Sequence, residues 1–495
     1  MGPGAGAALA ARVTVLGPGR HVRVVEDRFL TGPALLPAPL DVPSTPLARA
    51  ASITPGASTT ASKAPAPPTV VSVLAKLARR NQITAAQHAQ YLGEFDTALA
   101  DEKQLHGTRQ TELTAVTETL HNIAAGRQMT VARLPGLFLT LQANVQWWTT
   151  GPLLAADARV QLSGSQIIWE YYPGEGIQLQ PLATFGEANG MYTAGPSQYP
   201  AFLSLLGQML PLAVPQDHGI TWDYYFPFDG GQPPWTSAMT DGTALEAFTR
   251  AYLASGNNAY LVDGAEILPL LRDPPPRGLA VPTALGLRYL QYSFAPGTDI
   301  INAFLQTLIG LYYFSHDSGN LLSLKLFNEG SAEAQAELAS FNTGAWSLYQ
   351  PGIEDTLSYH ELVTGFLAQL CTLTAVPVYC RTAADFQADL TTPPSLTLLT
   401  GAGPAKKAFS VSFQLSKVSR VGLVIAGPTS TAFQTSASFA YGTQSINVPA
   451  LPAGAYTVRM SATDLAGNFS RITGALQVGN APGAGAVPIA RPVAR

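Results

Sequence analysis

The sequence predicts a multidomain α plus β protein, with a helical N-terminal region, a central incomplete (α/α) toroid and a C-terminal β-sandwich. Its 495 residues are enough for two or three domains, each with its own core. Apolar residues recur at helical spacing through the central region. From about residue 396 the pattern changes to short alternating runs with turn signals roughly every ten residues, which is typical of a sandwich.

Changes in composition divide the chain into five predicted segments. They are an extended, partly disordered arm with a short strand pair near its start (1–70), a helical region (71–158), a strand segment followed by the toroid (159–390), the sandwich (395–478) and a flexible tail (479–495). The toroid is predicted from helix pairs joined by long loops that gather at one mouth.

Within the toroid, four helices can be placed from their end signals. One begins near Asp241 and stops at Gly256, and another follows Asp299. A third covers about 356–373, and a fourth is expected to start at Thr382. We interpret Asp241 and Glu246 as partners of a helix N-terminal dipole.

Composition and charge exclude several classes of protein. Hydrophobic residues make up 46% of the chain, and its 28 basic and 32 acidic side chains leave a net charge of −4. This excludes a disordered chain and a basic nucleic-acid binder, and no apolar run is long enough to span a membrane.

Metal and cofactor sites have little support in the sequence. It contains no CxxC or HExxH motif, and its seven histidines lack ligand-like spacing, so we predict no metal and no cofactor. The only cysteines, Cys371 and Cys380, could form one disulfide or remain two buried thiols, and the sequence leaves both open.

Three tyrosines lie in loops or at the first turn next to predicted helix starts. They are Tyr292, Tyr349 and Tyr359, and such positions can lie in the mouth of a toroid. Taken singly, each could equally pack its ring and hydrogen-bond its hydroxyl, as most tyrosines do.

Four segments carry a more specific signal together. PWTSAMTDGTA (234–244), INAFLQTLIGLYYF (301–314), FNTGAWSLY (341–349) and SYH (358–360) are similar, in this order, to GWxSAMAQGQA, LNGFxYSLIGLYDL, YDTGxxSLY and DYH. These motifs occur in the C-terminal catalytic region of the glucuronyl C5-epimerases, which the chain resembles over roughly 165–390.

The resemblance implies a cofactor-independent isomerase that converts D-glucuronate to L-iduronate in heparosan-like chains. It assigns catalysis to Tyr292, Tyr349 and Tyr359, because inversion at C5 needs acid/base groups on both faces of the sugar. The family has a glutamate before the first of these tyrosines, whereas this chain has Gln291, whose amide cannot accept the proton.

Substrate contacts are predicted for eight further side chains. They are Gln291, Arg288, Asn302, Trp346, His360, Tyr172, Gln178 and Gln180, the last three on a strand segment with the composition of a sugar-binding surface. Arg288 and His360 are candidates for neutralising the uronate carboxylate, and structural roles are equally open to them.

Two other functions are also compatible with the sequence. A uronate polysaccharide lyase would share the proton abstraction and then expel the C4 substituent. A non-catalytic glycan-binding envelope protein would only bind the polysaccharide. Glutamine at position 291, where the family has a glutamate, favours this function. In every case the expected partner is an acidic polysaccharide, of low sulfation because the chain has few cations.

The C-terminal segment indicates whether the protein is exported from the cell. LPAGAYTVRMSATDLAGN (451–468) resembles hairpins of bacterial immunoglobulin-like or fibronectin-like accessory modules. We therefore expect an exported bacterial protein, although the N-terminus lacks the pattern of a signal peptide, and the animal enzymes suggest a homodimer.

Overall fold

A computed structural model of the chain describes residues 11–30 and 66–479. These residues fall into two compact units, 11–30 with 66–334, and 335–479. The remaining parts of the predicted arm and almost all of the predicted tail lie outside the described residues.

The first unit begins with helices that share one apolar core. They are α1 (Val70–Arg79), α2 (Ala85–Gln104), α3 (Thr108–Ala125) and α4 (Leu134–Thr150). Thr69 and Thr84 begin α1 and α2 with capping boxes, in which the threonine side chain accepts from a backbone N–H three residues later. Leu74, Phe95 and Phe138 meet in the core between these helices.

A five-stranded sheet joins the start of the chain to the predicted strand segment. Its strands are β1 (Ala11–Leu16), β2 (Val22–Asp27), β3 (Arg159–Leu162), β4 (Trp169–Tyr172) and β5 (Gly176–Leu179), in the order β2-β1-β3-β4-β5. Strand β1 pairs with β2 antiparallel and with β3 parallel. The short strand pair expected near the start of the chain is therefore present as β1 and β2. Its inclusion in a larger sheet was not expected, and it follows from the burial of Val13 and Val15 in an apolar core.

Helices dominate the remainder of the first unit. They are α5 (Pro181–Thr193), α6 (Tyr199–Met209), α7 (Ala238–Ser255), α8 (Ala259–Ala265), α9 (Leu268–Arg272), α10 (Ile301–Ser318) and α11 (Leu321–Glu337). Two small hairpins lie among them, β6 (Val214–Gln216) with β7 (Gly219–Thr221) and β8 (Ala280–Pro282) with β9 (Leu287–Tyr289). Helix α7 packs against α5 on one side and α10 on the other, and α6 and α8 pack against α5 and α7.

Two glycines allow α7 and α10 to cross at very short distance. A Cβ on Gly310 would lie 1.9 Å from the carbonyl oxygen of Gly242, and one on Gly242 would lie 2.6 Å from the Cα of Thr307. Only hydrogen fits there, so both positions require glycine for backbone contact rather than for a special φ. Both glycines belong to the quoted motifs, which gives those motifs a packing role.

Three details of the central helices correct the sequence-based expectations. Helix α7 begins at Ala238, so Asp241 lies in its first turn but Glu246 lies mid-helix and is not a dipole partner. Glu246 instead forms a 2.7 Å ion pair with Arg250. The fourth helix begins at Pro377, where proline fits the first helical position, and not at Thr382.

The second unit joins a helix pair to a β region. A hairpin, β10 (Leu348–Gln350) with β11 (Ile353–Glu354), leads into α12 (Leu357–Thr374) and α13 (Pro377–Asp389). A disulfide between Cys371 and Cys380 ties these two helices together, which decides the question that the sequence left open.

The β region consists of two sheets. Its strands are β12 (Leu396–Leu398), β13 (Ala402–Gly403), β14 (Phe409–Leu415), β15 (Ser419–Ala426), β16 (Thr431–Phe439), β17 (Gly442–Val448), β18 (Gly454–Asp464) and β19 (Phe469–Val478). The sheets have the orders β12-β14-β17 and β13-β19-β18-β15-β16. Both contribute to one core that includes Val411, Phe413, Leu423 and Val458.

A buried lysine connects the β region to α13. The ammonium of Lys417 lies 2.7 Å from a carboxylate oxygen of Asp464 and donates to the carbonyl of Asp389 at 2.7 Å. Lys417 is only 1% exposed, so these partners replace the water that a buried charge requires.

Candidate functional site

Two of the predicted catalytic tyrosines lie side by side in the second unit. Tyr349 belongs to β10, and Tyr359 lies in the first turn of α12, whose N-cap Thr356 accepts from the Tyr359 backbone N–H. Their ring centroids are 5.5 Å apart and the ring planes are almost perpendicular, at 88°. Tyr349 is 8% exposed and Tyr359 is 3% exposed. The hairpin and the helix start therefore hold two phenols in a fixed mutual orientation, which suits edge-to-face aromatic contact.

His360 and Trp346 lie together in the same unit. Their rings stack with centroids 3.8 Å apart, and the indole N–H donates to the carbonyl of Asp355 at 2.9 Å. The imidazole Nε2 lies 2.9 Å from the carbonyl of Phe386, which only accepts, so Nε2 carries the proton. Burial lowers the pKa of His360 to about 4 and keeps it neutral at physiological pH.

Ser347 links this histidine to a carboxylate that the sequence analysis missed. The Ser347 hydroxyl lies 2.8 Å from His360 Nδ1 and 2.5 Å from Asp355 Oδ2. Asp355 is buried, and its Oδ1 has no hydrogen-bond partner in the described part of the chain. Burial raises the pKa of Asp355 to about 7.

These three residues have the side-chain types of a hydrolase triad but not its arrangement. The carboxylate contacts the serine and not the imidazole, and the outer nitrogen of His360 is occupied by the backbone of Phe386. The set is therefore suited to holding the hairpin against α12 and α13. Its only sequence signal was the acidic pair 354–355 just before the N-cap of α12.

Tyr292, the third predicted catalytic tyrosine, belongs to the first unit. Its ring contacts Phe294, Phe228 and Trp235, with centroids 5.3, 5.5 and 5.7 Å away. The residue is 4% exposed. It lies in the loop between β9 and α10, as predicted, within a cluster of aromatic rings.

The polar side chains near Tyr292 include buried oxygens without partners. Gln291 and Asn302 are 4% and 2% exposed, and the side-chain oxygen of each lacks a hydrogen-bond partner among the described residues. Arg288 donates to Asp299 at 3.1 Å, while its Nε has no such partner. Unpaired buried polar atoms are uncommon, and they mark groups that could bind a ligand or water.

The segment predicted as a sugar-binding surface is interior. Tyr172, Gln178 and Gln180 are 7%, 2% and 0% exposed. Gln180 donates to the Tyr172 hydroxyl, which donates in turn to Glu170 at 2.9 Å. Gln178 donates to the carbonyl of Glu175. These partners keep the three side chains within the sheet region, so their role as substrate contacts stays a prediction.

Asp241 is a buried acid whose setting the sequence did not reveal. It is fully buried, and one oxygen accepts from the Thr221 hydroxyl at 2.9 Å while the other has no partner among the described residues. Burial raises its pKa well above the ordinary value, because the charged form is poorly solvated there.

Metal-binding clusters and membrane-spanning helices are both absent from the described residues. Within residues 11–30 and 66–479 there is no group of three His, Cys, Asp or Glu side chains that could hold a metal ion. Over the same residues, every helix is too short or too polar to cross a membrane.

Comparison with known proteins supports the motif-based resemblance. Residues 216–388 match the family model described as the D-glucuronyl C5-epimerase C-terminus. The D-glucuronyl C5-epimerase of Caenorhabditis elegans is 28% identical over 130 residues, which cover 24% of this chain. The chain spans 21% of that relative's length.

Similarity to solved structures is weak. A GH76 α-mannanase from Bacteroides thetaiotaomicron aligns over 46% of this chain and 65% of its own, with 11% identity and a TM-score of 0.34. A sugar epimerase from a ruminal bacterium aligns over 42% of this chain and 58% of its own, with 11% identity and a TM-score of 0.31. Likenesses at this level do not establish a shared fold.

Proposed function

Because residues 216–388 belong to the D-glucuronyl C5-epimerase family, we propose that this protein is a polysaccharide uronate C5-epimerase. It would interconvert D-glucuronate and L-iduronate in heparosan-like chains, without a cofactor. The observation that carries the proposal is the contact between Tyr349 and Tyr359, two phenols from different elements whose rings lie 5.5 Å apart inside the matched family region.

The chemistry explains why paired phenols would serve such an enzyme. The hydrogen at C5 is removed from one face of the sugar, and a proton returns on the other, so two acid/base groups are required. The ordinary pKa of a phenol is about 10, which makes it a competent acid and, once deprotonated, a strong base. In the proposal the phenolate of one tyrosine takes the C5 proton and becomes a phenol, and the other tyrosine, a phenol, gives its proton to the opposite face of C5 and becomes a phenolate.

Negative charge develops on the uronate carboxylate as C5 loses its proton. Donors arranged in advance stabilise that charge and lower the barrier. The residues of the first unit keep the roles predicted for them as separate proposals: carboxylate binding for Arg288, substrate contact for Asn302 and catalysis for Tyr292.

Three further features are compatible with an exported enzyme of this class. Helix α7 packs between α5 and α10, with α6 and α8 beside them, which is compatible with a toroid built from helix pairs. The two-sheet order of the β region is compatible with an immunoglobulin-like or fibronectin-like module. The disulfide supports an exported location, since such bonds persist in oxidising compartments.

The test compares wild-type protein with Tyr359→Phe and Tyr456→Phe. The Tyr456 hydroxyl donates to Pro452 in the β region, so this variant loses a phenol outside the matched region and is the control. We expect iduronate signals in the NMR spectrum of treated heparosan with the wild type and the control. Tyr359→Phe should reduce them by roughly 100-fold or more, the contribution of a positioned acid or base.

Alternative outcomes separate the competing functions. A product that absorbs in the near ultraviolet, with shortened chains, would identify a lyase. Heparosan that binds but is returned unchanged by the wild type would favour a glycan-binding protein without activity. Equal iduronate formation by wild type and Tyr359→Phe would remove Tyr359 from the chemistry.

A further inference from the structure

The β region carries a charge opposite to that of the whole chain. Residues 396–479 contain six basic side chains and one acid, a net charge of +5, although the full chain has a net charge of −4. The one acid, Asp464, is buried and paired with Lys417. The other five cations of the β region have no acidic side chain within it to neutralise them.

Three of these cations lie on the outer face of the five-stranded sheet. Arg420 on β15, Arg459 on β18 and Arg471 on β19 are exposed and alternate with buried or half-buried residues. Arg459 lies opposite Thr473, and Arg471 lies opposite Ser461, so the two arginines are diagonal neighbours on adjacent strands. Such neighbours are about 7–8 Å apart. Like charges at this distance repel, and a bound anion would relieve the repulsion.

The same face forms a depression with a volume of about 760 Å³. Gly422 lies on its floor between Ser436 and Ser461, its partners on the two neighbouring strands. Because Gly422 has no side chain, the Ser461 hydroxyl lies over this position, 3.0 Å from where a Cβ would be. None of the residues that line the depression is acidic.

Neutral polar and aromatic groups complete the surface. Gln434, Ser436 and Thr473 are exposed at the depression and can hydrogen-bond sugar hydroxyls. Phe469, beside them, is 55% exposed, which is unusual for a large apolar side chain and suits stacking against a sugar ring. We call the surface formed by Arg420, Arg459, Arg471, Gln434, Ser436 and Phe469 the arginine face.

We propose that the arginine face binds a segment of acidic polysaccharide through its uronate carboxylates. Planar guanidinium groups match carboxylates with two parallel hydrogen bonds, and the hydroxyls and amide provide donors and acceptors for the sugar. The choice of a uronate polymer over another polyanion rests on the proposed function. The site would hold the polymer on the protein, separately from the tyrosines.

The test uses the full chain and unsulfated heparosan as the probe. The test variant is Arg459→Gln/Arg471→Gln, and the matched control is Lys406→Gln/Lys407→Gln. The control removes two exposed cations of the same β region that do not line the depression, so the change in net charge is identical. We expect Kd for heparosan to rise about tenfold in the arginine variant and to change by less than about twofold in the control.

Several outcomes would overturn the inference. They are equal affinity of the three proteins for heparosan, an equal loss in the lysine control, and competition by duplex DNA as effective as that by heparosan itself. The last would mean a general polyanion surface and no uronate site.

Activity on a short heparosan tetrasaccharide separates this inference from the proposed enzyme. If the wild type is inactive but its polymer binding still depends on the arginines, the epimerase proposal is wrong and the arginine face stands. If the wild type is active but its polymer binding does not depend on the arginines, the arginine face is wrong and the epimerase proposal stands.

Discussion

The disulfide between α12 and α13 can be tested cleanly because Cys371 and Cys380 are the only cysteines in the chain. Any effect of a reductant on the folded protein must therefore act at this one bond. The bond closes a loop with a sequence separation of 9 residues. For a loop of that size, the loss of chain entropy in the unfolded state stabilises the fold by about 2.6 kcal/mol.

The assay is urea unfolding of the second unit, followed by hydrogen exchange of the backbone amides in α12 and α13. Exchange in these peptides reports the unit that carries the bond and not the first unit. We expect reduction to lower the free energy of unfolding of wild type by about 2–3 kcal/mol. The Cys371→Ala/Cys380→Ala variant should match reduced wild type and should not respond to the reductant.

Two results would refute this reasoning. One is oxidised wild type with the same unfolding free energy as the double variant. The other is mass spectrometry that finds free thiols in the native protein. Because Tyr359 lies on α12, a loosened helix pair should also weaken the contact with Tyr349, so activity should fall with stability.

Two further predictions concern particular side chains. Gly310→Ala should destabilise the first unit by about 1–3 kcal/mol or more, since a methyl group has no space against Gly242. The control, Gly365→Ala in α12, has open space around the added methyl group and should be neutral or slightly stabilising. Urea unfolding of both variants measures the two effects. Asp355→Asn should unfold at higher urea than wild type at pH 8 and at the same urea at pH 4. Because the native pKa of about 7 exceeds the ordinary value of 3.8, the wild type loses stability as pH rises from about 4 to 7, whereas an amide cannot ionise. Equal pH profiles for wild type and Asp355→Asn would contradict the buried, protonated carboxyl.

Local signals predicted the elements best where end signals and periodicity agreed. Helix α7 ends at Gly256, as the sequence indicated, and α12 begins within one residue of its predicted start, directly after the N-cap Thr356, because a left-handed glycine and an N-cap threonine act within one turn. The start of α13 was misplaced because Thr382 resembles a cap, whereas the proline at 377 begins the helix earlier.

Features that depend on distant packing were harder to predict. The parallel pairing of β1 with β3 joins residues far apart in sequence, and no local pattern encodes it. The burial of Tyr172 and Gln180 was missed for a similar reason, since aromatic and amide side chains look alike in a surface strand and in an interior one with internal partners.

For the candidate site, the motifs identified the tyrosines but not the elements and side chains that hold them in place. The contact of Tyr349 with Tyr359 follows from a hairpin that turns the chain back toward the start of α12. Asp355 escaped notice because its importance comes from burial beside Ser347, and an Asp before a helix is common for reasons of capping alone.

The most direct measurement is hydrogen isotope exchange at C5 of heparosan glucuronate in deuterated water. We expect wild-type protein to introduce deuterium at C5 and to leave the polymer at its original length, because one tyrosine removes the C5 proton and the other returns a deuteron that its hydroxyl has gained from the solvent. Tight binding of heparosan by folded protein with no deuterium at C5 would contradict it.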